Sequence, residues 1–152
     1  MSINLRPATA ADVSAMAAIR AKEWGDETLW THRIAGYLSA EYSPQQALPE
    51  RAVFVAVDGD ELVGFVAAHR TRRFDCDCEL QWINVAEERR GQGIADQLML
   101  RILEWFHQQA AQRICVNVAA GNTAARRVYA RHGAQPLNDH WMIWDDVTSI
   151  PV

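Results

Sequence analysis

Arg89-Arg90-Gly91-Gln92-Gly93-Ile94-Ala95 is the stretch whose reading decides this chain. Before it, Leu80 to Val85 reads as a strand. After it, Asp96 to Gln109 places Leu98, Ile102, Leu103 and Phe106 at helical spacing. A glycine-punctuated turn from strand to helix aims several backbone N–H groups outward at a helix N-terminus, which favours an anionic guest, most often a phosphate. Glycine serves there because a Cβ would block close approach and forbid the φ values of the turn. The dinucleotide fingerprint needs G-x-G-x-x-G and a P-loop needs a following Lys-Ser/Thr; only Gly91 and Gly93 are present, and no such pair follows. On its own the turn is also compatible with an ordinary strand–helix connection, so its neighbours decide.

Working outward, 152 residues suit one domain, spanning 1–152, with a real core. At 49% hydrophobic and 22% charged, the chain has the composition of a globular protein. A formal charge of −4 argues against nucleic acid as a bulk partner. Apolar runs are too short to span a bilayer, so no membrane partner is expected. Three cysteines, Cys76, Cys78 and Cys115, leave one unpaired at least, and no signal-peptide pattern precedes Ile3. A reduced cytoplasm is the expected home.

Ile3 to Arg6 is a short strand ended by Pro7, and Thr9 caps a helix that runs from near Ala10 to about Trp24 on an apolar stripe of Val13, Met16, Ala17 and Ile19-Arg20. A second helix is predicted from Glu27 to Glu41, broken by Ser43-Pro44 and Pro49. Ala52 to Val57 and Leu62 to His69 are strands joined through Asp58-Gly59, a hairpin signal because type I′ turns need positive φ. Further strands are expected over Cys76 to Val85, Ile114 to Val118 and Trp141 to Trp144. A helix over Asn122 to His132 is closed by Gly133. Antiparallel early and strand–helix–strand late, this is an α/β domain.

Here the residues meet a family. Arg90-x-x-Gly93-x-Ala95 after a strand resembles the acyl-CoA-binding signature of the GNAT superfamily of N-acyltransferases. Leu5-Arg6-x-Ala8-Thr9-x-x-Asp12 is similar to its opening strand and helix, and Val85 to Gly91 to its approach to the pyrophosphate loop. Val118-x-x-x-Asn122-x-x-Ala125-x-x-x-Tyr129-x-x-x-Gly133 is similar to its second motif in order and spacing. Three positions depart: Ala95 where glycine is commoner, Ala134 where an aromatic residue usually follows Gly133, and His132 in place of a leucine. The resemblance implies a mixed central sheet of about six or seven strands flanked by about four helices.

It also implies roles. Acetyl-CoA is the expected co-substrate, with no metal. Backbone N–H groups from Arg90 through Gly91, Gln92, Gly93, Ile94 and Ala95 to Asp96 would cradle its pyrophosphate, and Arg89 or Arg90 would add charge. Ile83, Asn84 and Val85 would line the acetyl and pantetheine arm, and a backbone N–H near Asn84 or Val85 would polarise the thioester. Asn122 would bond the pantetheine, cap its helix, or do both. Tyr129 would protonate the departing thiolate, since a phenol of pKa near 10 keeps its proton at neutral pH. Glu79 would deprotonate the acceptor amine, with Asp75, Asp77 and Glu23 as lesser candidates. The bland readings are core packing for Tyr129 and a solvated carboxylate for Glu79. His69 and His107 are read as lying away from the cleft.

The reaction expected is direct transfer to a primary amine. A covalent cysteine route lacks a histidine placed to activate a thiol, and Cys76-x-Cys78 lacks a second ligand pair for zinc. Trp24, Asp26 and Trp30 occupy the helix connection that walls the acceptor cleft by resemblance; aromatics with carboxylates suit a cationic amine, and a solvated surface over core tryptophans is the plainer reading. Arg70, Arg72 and Arg73 point instead to an acceptor with a carboxylate, or equally to a solvated loop. The acceptor, a small molecule or a protein amine, stays open, as does homodimer formation through the C-terminal strands. The rival from another class is a non-catalytic acyl-CoA-binding sensor, which would retain the turn and lose Tyr129 and Glu79.

Overall fold

In a computed structural model describing residues 2–151, an antiparallel run comes first. It comprises β1 (Ile3–Pro7), β2 (Ala47–Asp58), β3 (Glu61–Thr71) and β4 (Cys78–Val85). Then follow β5 (Ile114–Asn117), β6 (Gln135–Asn138) and β7 (Trp141–Trp144), and the seven strands form one sheet in the order β1-β2-β3-β4-β5-β7-β6. All neighbours are antiparallel except β4 and β5, which run parallel. Four helices accompany them: α1 (Val13–Trp24), α2 (Glu27–Ser39), α3 (Ile94–Gln108) and α4 (Thr123–Arg131). This is the mixed α/β sheet with four helices that the sequence predicts.

The central strands are apolar at consecutive positions because both faces are covered. Val53, Val55, Phe65, Ala67 and Trp82 pack under α1 and α2 with Met16, Ala17, Ile34 and Tyr37. Phe54, Ala56, Val66, Ala68 and Leu80 face the other way, against Leu98, Ile102, Leu103 and Phe106 of α3 and Tyr129 of α4. Arg6 grips Asp12 with both guanidinium arms (2.8 and 2.9 Å), and Asp12 Oδ2 accepts from the Thr9 N–H at 2.8 Å. The Arg6 guanidinium holds the Asp12 carboxyl below its usual range, fixing the entry to α1.

Boundaries differ from the sequence reading where tertiary contacts override local pattern. β2 starts at Ala47, not Ala52, with a register irregularity between Ala47 and Arg51 that accommodates Pro49. β6 is exposed throughout and contains Pro136, so it has no alternation to read; it lies at the sheet edge. α3 begins at Ile94 with Gly93 as its left-handed N-cap, φ 84°.

What positions the site is a parting of strands. β4 pairs with β5 only through Cys78, Glu79 and Leu80 opposite Ile114, Cys115 and Val116. Beyond that, β4 stays with β3, with Gln81 bulged out between Leu80, opposite Ala68, and Trp82, opposite Ala67. On the other branch, Val118 N–H donates to His140 O at 2.8 Å, drawing the chain toward the β6–β7 hairpin. Gly64 supports the β4 branch: a Cβ there would stand 2.9 Å from Asn84 O and 3.2 Å from Leu98 Cδ1. Gly64→Ala should therefore cost about 1–3 kcal/mol by chemical denaturation. An unchanged midpoint would refute the close packing.

Candidate active site

The parted strands frame two adjoining clefts. The first, about 440 Å³, runs from the β4 end to the start of α3 and includes Ile83, Asn84, Val85, Gly93, Ile94, Ala95 and Asp96 in its wall. Gly91 (φ 78°) and Gly93 (φ 84°) adopt left-handed conformations, and a Cβ on either would meet no atom within 4 Å. Their role is conformation and an uncovered backbone, not relief of a clash. The α3 ladder opens with Gln97 N–H to Gly93 O at 3.1 Å, so the N–H groups of Ile94, Ala95 and Asp96 have no helical acceptor and lie at the cleft. An anion-binding cradle with no side chain over it suits a pyrophosphate.

The two arginines of the turn part company. Arg89 is held by Asp58 and Glu61, both at 2.7 Å, which leaves its charge compensated. Arg90 bonds Glu23 at 2.7 Å and Val85 O at 3.3 Å, and its side chain remains about half exposed at the cleft. Of the pair, Arg90 is the more exposed at the cleft. Gln92 is exposed and does not line the cleft.

The second cleft, about 350 Å³, shares Glu23, Ile83, Asn84, Asn122 and Ala125 with the first. Asn122 caps α4, its Oδ1 accepting from Ala125 N–H at 3.2 Å, and it borders both spaces. Tyr129 reaches this cleft from α4, with its ring edge-on to Trp144. Among the described residues its hydroxyl has no hydrogen-bond partner. Burial pushes the phenol above its ordinary pKa near 10, with Arg20 opposing and Glu23 adding to the rise.

Glu79 enters the same cleft from β4, buried rather than solvated. Its Oε1 accepts from Arg73 Nε at 3.0 Å, and His69 Nε2 lies 3.7 Å behind it. His69 is thus closer to the cleft than its sequence position suggests. It is fully buried, with Nδ1 2.9 Å from the Tyr37 hydroxyl. The strand register makes this legible only afterwards, since His69 pairs with Glu79 across β3 and β4. Asp75 and Asp77 stand elsewhere: Asp77 Oδ2 accepts from the N–H groups of Gln112 and Arg113.

The tryptophans hold a cation, and it belongs to the chain. Arg20, read from sequence as part of a helical stripe, lies with its guanidinium 5.0 Å from the Trp24 ring, 4.7 Å from Trp30 and 5.9 Å from Trp82. Its Nη1 donates to Asn84 Oδ1 at 2.8 Å. Trp24 and Trp30 do wall the cleft, but Arg20 fills the aromatic box expected for a cationic amine. Asp26 corrects another expectation: its carboxylate accepts from Leu29 N–H at 3.0 Å as the N-cap of α2, and it does not line the cleft.

None of the three cysteines lines either cleft, and all are buried. Burial pushes the Cys78 thiol up to about 12, so it stays protonated at neutral pH and is a poor nucleophile. Arg70 points away, donating to Gln109 O at 3.0 Å. Among the described residues no three His, Cys, Asp or Glu side chains converge as a metal site, and no helix is long and apolar enough to cross a membrane.

The sequence model of the acetyltransferase (GNAT) family matches residues 16–134. An uncharacterized N-acetyltransferase of Bacillus subtilis (strain 168), YobR, is 36% identical over 58 residues, 38% of this chain. That match spans only 24% of the relative's length. Among solved structures, an N-acetyltransferase from Staphylococcus aureus Mu50 superposes with a TM-score of 0.77 at 17% identity, covering 97% of this chain and 99% of that one. The PaiA N-acetyltransferase from Thermoplasma acidophilum, solved in complex with coenzyme A, gives 0.75 at 14% identity, with 95% and 99% covered. At such identities the structural likeness speaks for the fold.

The uncovered turn gives a direct test. Gly93→Val places a β-branched residue at φ 84°, where it is strained, and is expected to weaken acetyl-CoA binding by about tenfold or more in calorimetric titration. Undiminished affinity would refute the turn as the binding element.

Proposed function

The chain belongs to the GNAT acetyltransferase family, and from that premise we propose that it transfers an acetyl group from acetyl-CoA to a primary amine by direct attack with both reactants bound. The observation that carries this reading is the parting of β4 from β5. The uncovered helix start lines one of two adjoining clefts there, and Tyr129 and Glu79 line the other. Holding two reactants in one such space supplies much of the acceleration.

When bound, acetyl-CoA supplies an activated acyl carbon. The chain's own groups do the rest. The N–H groups at the start of α3 bind the pyrophosphate, and the exposed edge of Ile83, Asn84 and Val85 aligns the pantetheine arm with Asn122. Glu79 takes the amine's proton, directly or through water, at Oε2, the oxygen without a protein partner among the described residues. The Tyr129 hydroxyl gives a proton to the departing sulfur. Its burial supports this role, since a phenol whose pKa is raised keeps its proton across neutral and mildly alkaline pH. The absence of any thiol from the cleft walls favours direct transfer over a cysteine intermediate. The activity is proposed for the cytoplasm, for a single-domain enzyme, without a metal.

Thiol release over a panel of amines tests the reading; acetyl-CoA binding with no release on any amine would make the chain a sensor instead. Tyr129→Phe should lower kcat by about a hundredfold or more while acetyl-CoA affinity holds. Because the phenol's pKa is raised, the protonated acid persists as pH climbs, and its loss should not limit kcat below about pH 10. An alkaline limb near pH 8 that disappears in Tyr129→Phe would contradict this. Glu79→Gln should lower kcat/KM by about tenfold; an unchanged value would assign deprotonation to water alone.

A further inference from the structure

The transfer reading leaves the acceptor open, and the wall of the second cleft narrows it. Besides its tyrosines, that wall has four ionisable side chains: Arg20, Glu23, Arg33 and Glu79. Both carboxylates have cationic partners elsewhere, Glu23 in Arg90 at 2.7 Å and Glu79 in Arg73 at 3.0 Å. Among the described residues neither Arg20 nor Arg33 has an ion-pair partner. The cleft therefore presents two guanidinium charges with no carboxylate bound to either.

Arg20 is held in place by stacking and by its bond to Asn84, neither of which neutralises it. Burial lowers it to about 10, with Glu23 and Tyr129 opposing, so it remains charged at neutral pH. Among the described residues its Nη2 has no hydrogen-bond partner, and the side chain lines the cleft. Its Nε is buried without an acceptor, and so is Trp30 Nε1 in the same wall. Two buried donors in this wall thus lack an acceptor, which is costly. Arg33 stands exposed at the rim, 5.6 Å from the Trp30 ring and 5.7 Å from Tyr42. A planar guanidinium matches a carboxylate with two parallel bonds, and about 350 Å³ is the size of a small-molecule site.

We propose that the acceptor is a small amine that also carries a carboxylate, as an amino acid does, with Arg20 and Arg33 receiving the carboxylate. This rests on the transfer reading above. It adds a carboxylate to the amine that the aromatic and acidic residues suggest from sequence, because Arg20 occupies the aromatics and Arg90 pairs with Glu23, while Glu79 Oε2 stays open to the amine.

The experiment compares amino acids with their carboxamides and decarboxylated amines as acceptors, following CoA release, with calorimetric titration of the same compounds onto the CoA-bound protein. Carboxylates should lead their carboxamides by about tenfold or more in kcat/KM or in affinity. Arg33→Gln, at an exposed position, and Arg20→Gln should each shrink that ratio by about threefold to tenfold. The ratio cancels any effect of Arg20 on Tyr129 or on the folded fraction. Carboxamides or decarboxylated amines used as well as carboxylates, a ratio unmoved in both variants, or carboxylates neither turned over nor bound would overturn the proposal. Failure of the wild-type chain to bind acetyl-CoA strikes the transfer reading instead.

Discussion

Parallel strands β4 and β5 are bonded only from Cys78 to Leu80, so the backbone groups that Gln81 to Val85 would offer β5 face an opening instead. Backbone polar groups shielded from water need partners, and a sheet parted at its centre is costly unless both branches are held from outside. Here they are. β4 keeps its pairing with β3 up to Val85 opposite Gly64, and Ala86 N–H donates to Val63 O at 2.8 Å. β5 is tied to β7, residue for residue, from Ile114 to Asn117. The bulge at Gln81 turns the β4 branch without breaking it. The opening is thus a property of the two flanking hairpins, and α3 and α4 bring their N-termini to it from one side.

Arginine supplies nearly all positive charge in this chain, Lys22 being its only lysine, and the arginines sort into three uses. Some fasten structure: Arg6 to Asp12, and Arg89 to the hairpin acids Asp58 and Glu61. Others sit beside cleft acids, Arg73 on Glu79 and Arg90 on Glu23. Arg20 and Arg33 lean on aromatic rings with no acid within ion-pair distance. The exposed pairs add little stability. What they do is decide which charges remain available to a guest, and that subtraction cannot be made from composition, where acids outnumber bases.

The glycine turn, the α3 stripe and the Asp58-Gly59 hairpin were legible because each rests on local physics: positive φ, helical periodicity, turn chemistry. Tyr129 and Asn122 were legible only through spacing that resembles a family, since an aromatic on a helix and an N-cap look alike whether or not they border a cleft. β6 was illegible as a strand because an exposed edge with Pro136 shows no alternation. Asp26 misled because an acid between two helices is ambiguous between cap and ligand, and its cap bond to Leu29 exists only once α2 forms. Arg20 and His69 were illegible for a third reason. Their partners lie far along the chain, Asn84 for one and Tyr37 and Glu79 for the other, and single-sequence pattern has no access to such pairs.

Arg20 also joins the two halves of the chemistry. Its charge lowers the phenol's pKa against the rise that burial imposes. Burial alone would make the phenol a reluctant donor, because its anion would be left in a poorly solvated site. A cation nearby stabilises that anion and brings the acid's strength closer to what a leaving thiolate needs. An acceptor carboxylate paired with Arg20 would weaken this help by offsetting its charge. Arg33, exposed on the rim against Trp30 and Tyr42, is the other cation that would meet the same carboxylate. A division in which Arg33 takes more of the acceptor's charge and Arg20 stays nearer the phenol would therefore serve binding and proton donation together.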